Sequence, residues 1–450
     1  MSSPPVPAIS SQENTLTHWL RGRPPLVMAL WAMLAAFTAY GCMYAFRKPF
    51  SAAAYAGSFG GMDYKTLLVL SQLAGYTVSK FLGIKFVSQA TPARRVAMVL
   101  GLIATAEGAL LAFAITPAPW NAACLFLNGL PLGMVWGLIF AFLEGRRVTE
   151  FMALGLSLSL IFASGWTKAA GLHVMQEWGV SEEWMPCVTG ALFLPPLLLA
   201  MGMLAVLPPP DGADIAARSR RQPMDATARH AFLRRHWPGL LLLVLAYLLL
   251  TTYRDVRDTF QVDILRELGV TASARQLLLI ETKVGVAVIA LLAGFILIRD
   301  NRRAFIVCGI LITVGGVLAG LSSSLLQHGK ISAGAWMTLT GIGLYAAFIP
   351  YQAILFERLL AHLKVTGTAA FLISICDSYG YLATVALYLH QTFAGARAGW
   401  ASLLTTGGYL LAILLPGLMA GALALFAGKR RQESPPSGVS LIATPGPPLP

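Results

Sequence analysis

Long apolar runs, broken by short polar stretches, dominate this chain. They fall near residues 26–50, 66–88, 96–115, 120–143, 149–172 and 187–207, then near 238–256, 276–298, 304–325, 333–356, 366–391 and 399–427. Each is long enough to cross about 30 Å of hydrocarbon as an α-helix. The pattern predicts an all-α polytopic membrane protein with twelve transmembrane helices in two pseudo-symmetric six-helix bundles. The polar stretches set the expected limits: an N-terminal tail at 1–25, a first bundle at 26–207, a linker at 208–237, a second bundle at 238–428 and a C-terminal tail at 429–450. The linker opens with "PPPDG" and carries Arg218, Arg220, Arg221, Arg229, Arg234 and Arg235. The tail, "SPPSGVSLIATPGPPLP", is proline-rich and expected to be disordered. No small-residue cleavage site follows the first run, so it is expected to stay as a helix.

Composition changes this picture little. The chain is 56% hydrophobic and only 12% charged, with a mean hydropathy of +0.68, whereas soluble domains run near ~25% charged. The charge distribution adds an orientation. With both termini on the cytoplasmic side of an inner (plasma) membrane, most of the 33 Lys and Arg fall in cytoplasmic loops, and only Lys65, Arg266, Arg275, Lys330 and Arg397 fall outside. The loop "QEWGVSEEW" after the fifth span is acidic and holds no basic residue, as expected outside. The net charge of +13 therefore reflects topology, and nucleic acid is not an expected partner. The five cysteines (Cys42, Cys124, Cys187, Cys308 and Cys376) lie in or beside apolar runs with no paired spacing, as packing residues do. There is no nucleophile elbow, no phosphate-binding glycine loop ending in Lys-Ser or Lys-Thr, and no His and acid cluster with metal spacing. An enzyme, a cofactor and a metal are all unexpected.

Seven cations remain that topology does not explain: Arg47, Lys48, Lys80, Lys168, Arg254, Arg257 and Lys283. Few acids stand against them: Glu107, Glu281 and Asp377 within spans, and Asp255 and Asp258 beside the second arginine pair. A charge inside a bilayer segment costs about 2.5–3.5 kcal/mol on insertion scales, so such groups mark a pathway or a partner. The excess of cations favours an anionic ligand, and arginine offers a planar fork that grips carboxylate or phosphate with two hydrogen bonds. The halves echo each other: Tyr40 precedes Arg47 by seven residues as Tyr247 precedes Arg254, and Arg47 leads Phe50 by three as Arg257 leads Phe260. The echoes disagree about which of Arg254 and Arg257 is the second clamp. Two such repeats put a substrate site between them near the midplane.

Simpler readings compete. Arg47 and Lys48 at the end of a span snorkel to the interface in many proteins. Lys80 has Glu107 as a candidate bridge partner, and Lys168 and Asp377 suit interhelical ion pairs. Glu281 and Lys283 are two apart, so they face different ways on a helix and do not neutralise each other. Tyr44 and Tyr76 are candidate cavity linings.

"YAFRKPFSAA" (44–53) resembles the first-helix signature of the organophosphate:phosphate antiporters, the glycerol-phosphate and hexose-phosphate transporters of the major facilitator superfamily. "GYTVSKFLG" (75–83), "NGLPLGMVWG" (128–137) and "VTGTAAFL" (365–372) resemble that family's second, fourth and eleventh helices. The resemblance implies the major facilitator fold. It also implies that Arg47 and Arg254 clamp a phosphate, that Lys80 attracts or orients it, and that Glu281 takes part in ion-pair switching. The chain departs from the pattern in three places. "VSQATPARR" lacks the family's acid, "SGWTKAAG" puts Lys168 near an expected histidine, and the second arginine sits in "YRDVRD". These departures set it on an outlying branch.

The sequence thus leads to a monomeric secondary transporter in the lipid bilayer that moves a small anion, a phosphate ester or sugar phosphate, by alternating access. Arg47, Arg254, Lys80, Arg257, Lys48, Lys168, Tyr44 and Tyr76 are the candidate substrate-binding residues. Glu281, Lys283, Glu107 and Asp377 are the candidates for coupling or ion-pair switching. Two alternatives stand beside it: a proton-coupled carrier of another anionic metabolite, and a membrane sensor on the same fold that uses the linker and tail as contact surfaces.

Overall fold

The computed structural model describes residues 15–88, 91, 94–144, 146, 149–210, 226–298, 300–363, 369–393 and 398–427. The expectations about half of the linker (211–225), the far tail (428–450), the first fourteen residues and the opening of the 365–372 motif lie outside them.

Among the described residues, twelve long helices follow the apolar runs. They are α1 (Pro25–Met43), α2 (Tyr64–Ser88), α3 (Arg95–Ile115), α4 (Asn121–Leu143), α5 (Thr149–Trp178), α6 (Met185–Ala205), α7 (Ala226–Thr259), α8 (Ala274–Ala293), α9 (Asn301–Gln327), α10 (Ala333–Pro350), α11 (Ala369–Phe393) and α12 (Trp400–Ala427). Among the described residues, nine helices are long and apolar enough to cross a membrane. The other three long helices, α2, α5 and α11, carry Lys80, Lys168 and Asp377 in their interiors. Ser273, Asp300 and Ser332 start α8, α9 and α10, each accepting the backbone N–H three residues on, which satisfies a donor that the first turn leaves free. Consecutive spans alternate in direction. One face of the molecule, here called proximal, carries residues 25 and 427, and the distal face carries the ends of α1 and α7.

Helices α1 to α6 form one bundle and α7 to α12 the other. In the first, α1 packs on α5 and α6, and α4 packs on α2 and α3. In the second, α7 packs on α11 and α12, α9 on α10 and α12, and α8 on α10. The bundles meet along two seams, α2 with α11 and α5 with α8. Small residues set how closely helices approach. Ala29, Ala32, Ala35, Ala36 and Ala39 of α1 are fully buried. A Cβ on Gly75 would lie 2.1 Å from the Phe126 carbonyl oxygen, and one on Gly129 2.3 Å from that of Gln72. Only glycine fits that α2–α4 crossing.

The first span departs from its expected reach to residue 50. Helix α1 stops at Met43. A 3-10 turn covers Tyr44–Phe46, Arg47 and Lys48 follow, and a second 3-10 turn covers Pro49–Ala52. Pro49 explains the break, because it lacks an N–H and disfavours helical geometry at the residue before it. The carbonyls freed by the break find side-chain donors. Asn128 Nδ2 donates to the Phe46 carbonyl at 3.0 Å, Gln72 Nε2 donates to that of Arg47 at 3.0 Å, and Gln72 also donates to Asn128 Oδ1 at 2.8 Å. Irregular backbone at membrane depth survives only with such protein partners.

Candidate functional site

The unwound stretch puts Arg47 and Lys48 between the bundles, and their surroundings differ. Lys48 belongs to a distal layer of ion pairs. Its Nζ lies 2.5 Å from Asp258 Oδ2 and donates to Thr259 Oγ1 at 3.4 Å. Lys168 of α5 reaches the same carboxylate at 3.3 Å and donates to the Asp258 carbonyl at 2.5 Å and to Gln261 Oε1 at 2.7 Å. The Ser164 hydroxyl also donates to Asp258. Lys65, at the start of α2, pairs with Asp263 at 2.6 Å and donates to the Ala53 carbonyl. In the Lys48, Lys168 and Lys65 pairs the lysine comes from the first bundle and the carboxylate from the second, which fastens the distal ends together; Asp263 also has Arg266 of its own bundle at 3.7 Å.

Deeper in, Arg47 meets aromatic faces instead of acids. Its guanidinium lies 3.8 Å from the centroid of Tyr76, which also has Lys80 at 5.1 Å and the Tyr381 ring at 5.4 Å. Among the described residues no carboxylate pairs with Arg47, and its Nε has no hydrogen-bond partner. From the other bundle, Arg254 pairs with its neighbour Asp255 at 2.8 Å and lies 4.3 Å over the Phe348 ring. Thr384 donates to the second oxygen of Asp255 at 3.0 Å. Arg47 and Asp255, the partner of Arg254, line one cavity beside the Tyr76–Tyr381 pair, an aromatic chamber between the bundles. Lys80 faces Asp377 across the α2–α11 seam at 4.0 Å, and these side chains keep 26% and 20% of their surface exposed. Asp377 also accepts from the Tyr247 hydroxyl and, at 3.3 Å, from Gln352. Between the distal and central layers lies a cavity of about 30 Å³ lined by Arg47, Lys48, Gln72, Asp255 and Thr384 among others. By volume it holds one or two waters and no larger ligand.

Four sequence candidates lie elsewhere. Arg257 turns away from the chamber. It is 1% exposed, donates to Glu281 at 3.0 and 3.4 Å and to the Met337 carbonyl at 2.9 Å, so of the two second-bundle arginines only Arg254 is at hand for a ligand. Glu281 also accepts from Gln261 at 2.6 Å, and Gly165 of α5 makes room for it, since a Cβ there would lie 2.1 Å from Glu281 Cγ. Glu107 does not bridge to Lys80. It sits inside the first bundle, where Cys187 donates to one oxygen at 3.4 Å and the other lies against Gly190. Lys283 is exposed on the outer side of α8, apart from the chamber; the two-residue offset that separates it from Glu281 turns it outward.

Sequence reasoning missed several residues here. Lys65 counted only as a loop charge, and nothing in its local pattern signals Asp263. Gln72 and Asn128 carry a signal in hindsight: an amide in an apolar span, like a charge, needs a partner. Tyr381 lies one turn beyond Asp377 on α11, where helical spacing from that acid would have found it.

Comparison with solved structures places most of the chain on a known architecture. The crystal structure of a D-xylose–proton symporter has a TM-score of 0.57 at 13% identity, covering 89% of this chain and 97% of that one. A bacterial homologue of the human lysosomal transporter Spinster, inward-facing and unoccupied, has 0.59 at 12%, covering 92% and 100%. The nucleoside transporter NupG has 0.58 at 12%, covering 88% and 98%. At these identities the likeness is one of fold, the major facilitator fold of two six-helix bundles. No curated protein matches the chain. One family model does, across residues 49–429. With nearly all of its membrane core inside that match, this multi-pass membrane protein belongs to the family of unknown function DUF5690.

Proposed function

We propose that the chain is a monomeric secondary transporter of an organic anion, and that a phosphate monoester suits it best. One observation carries this reading: among the described residues, half-buried Arg47 lies among tyrosines without an acid, while the other cations between the bundles each have one. Leaving a buried charge uncompensated is costly, so a site with an unpaired guanidinium favours an incoming anion. The balance of the region points the same way: with Arg47 and Arg266 included, the cations outnumber the five carboxylates Asp255, Asp258, Asp263, Asp377 and Glu281, and a phosphate monoester brings a charge of about −1.5 to −2 at neutral pH.

In this reading the substrate enters from the proximal side, past the partly exposed Lys80 and Asp377, and meets the fork of Arg47. Arg254 then exchanges part of its contact with Asp255 for the anion, and Tyr44 and Tyr76 close around it. The distal ion pairs hold the closed state, and their rupture opens the other side. Exchange for inorganic phosphate needs no further energy source, because each ligand shifts the two states only by its differential affinity.

Counterflow in proteoliposomes tests this. Vesicles loaded with inorganic phosphate should take up hexose phosphate, and Arg47→Lys should reduce the uptake about tenfold or more, because it keeps the charge and loses the bidentate fork. Unchanged uptake and affinity in that variant would remove Arg47 from the mechanism.

A further inference from the structure

A second basic site lies on the outer side of the protein, between α8 and α10. These helices pack together, yet their distal ends leave a groove of about 410 Å³ between them. Arg275, Leu279 and Lys283 line it along one face of α8, spaced four residues apart. Ser332, Gly334, Ala335 and Thr338 line it from α10. The small α10 side chains create the space.

Lys283 makes this groove unusual. It lies nine residues, about 13 Å along the axis, below the start of a helix long enough to span the hydrocarbon. It is exposed, and its neighbours Leu278, Leu279, Val286 and Ile289 are exposed apolar residues, as lipid-facing positions are. A lysine near mid-bilayer on a lipid-facing surface must reach the headgroups or find a counter-ion. Neither Arg275 nor Lys283 has an ion-pair or hydrogen-bond partner among the described residues. The one acid nearby in sequence, Glu281, points inward to Arg257. The groove runs from Lys283 up to Arg275, so it offers the ammonium a polar route to the distal interface. Arg275 stands at its mouth.

We propose that this groove binds the headgroup of an anionic phospholipid of the distal leaflet. Its phosphate would lie between Arg275 and Lys283, and its acyl chains along Leu279 and the apolar surface below. Basic pockets between transmembrane helices bind such headgroups. The site is separate from the Arg47 chamber and stands whether or not that chamber carries a phosphate ester.

Thermal unfolding of the purified full-length protein in detergent tests the proposal, with added phosphatidylglycerol, phosphatidylcholine or glycerol phosphate as separate arms. Phosphatidylglycerol should raise the midpoint, since a ligand of the native state stabilises it. Phosphatidylcholine should not, and any rise with glycerol phosphate, a candidate ligand of the Arg47 chamber, should be equal in R275Q/K283Q and the wild type. The double variant R275Q/K283Q should lose the phosphatidylglycerol response, and R275K/K283R should keep most of it. Both side chains are exposed and unpaired, so the variants are expected to fold. Native mass spectrometry of the same samples adds a second readout, one retained phosphatidylglycerol fewer in R275Q/K283Q than in the wild type. An equal response to phosphatidylcholine, or an unchanged phosphatidylglycerol response or lipid count in R275Q/K283Q, would overturn the proposal. A response to glycerol phosphate that R275Q/K283Q abolishes, with none to phosphatidylglycerol, would overturn it in favour of a soluble anion.

Discussion

Arg47 and Lys48 are adjacent in sequence and opposite in circumstance. Lys48 enters a layer in which lysines of one bundle meet carboxylates of the other, and Asp258 alone gathers Lys48, Lys168 and Ser164. Arg47 enters a layer of tyrosines in which, among the described residues, no carboxylate pairs with it. A matched layer is a fastener, strong while both sides are present and damaging when one is removed. An unmatched cation is a vacancy for an anion. One break in α1, made by Pro49, sends two neighbouring cations to these two tasks.

The largest expected effect comes from breaking the matched layer. Asp258→Ala leaves Lys48 and Lys168 buried without their carboxylate, and uncompensated buried charge costs about 3–5 kcal/mol. The thermal midpoint should fall sharply. Spin labels at Ser58→Cys and Arg266→Cys, both exposed on the distal side, should report a longer and broader distance in that variant. A distance unchanged from wild type would show that the layer does not hold the distal side closed.

Asn128→Ala comes next. It strips a donor from the carbonyls of both Phe46 and Ala106, each a loss of about 1–3 kcal/mol when buried. The variant should lose stability and also bind anion less tightly, because Arg47 hangs from the backbone that Asn128 holds. Equal anion affinity in Asn128→Ala would separate the unwound backbone from the site.

Much of this arrangement was legible in the sequence, and the reasons differ by element. The twelve helices follow from runs of apolar residues, a property each segment carries by itself. Arg47 stood out because a charge beside "YAF" breaks a local rule. What the sequence withheld was pairing. That Lys80 meets Asp377 and not Glu107, that Lys65 finds Asp263, and that Lys283 turns outward all depend on how two bundles face each other. No local pattern encodes that. The two-residue offset between Glu281 and Lys283 did separate them, though it left open which of the two faced inward.

Smaller effects sharpen the contrast. Tyr76→Leu removes the ring under Arg47 and Lys80, and an aromatic face under a desolvated cation contributes about 0.5–2 kcal/mol. Anion affinity should fall several-fold, and Tyr76→Phe should keep most of it. Lys80→Gln should do least to stability, within about 1 kcal/mol, since its pair with Asp377 is 4.0 Å long and partly exposed. A large loss there would mean that the central layer is a fastener too.

The most direct test of the account is the thermal midpoint of the purified protein titrated with inorganic phosphate and with hexose phosphate, wild type against Arg47→Met. Methionine fills the site without charge and orphans no acid, so the variant alone should be as stable as wild type or more so. The account predicts that the anions raise the wild-type midpoint in a saturable way and leave Arg47→Met unmoved. The same anion-dependent rise in both proteins would contradict it.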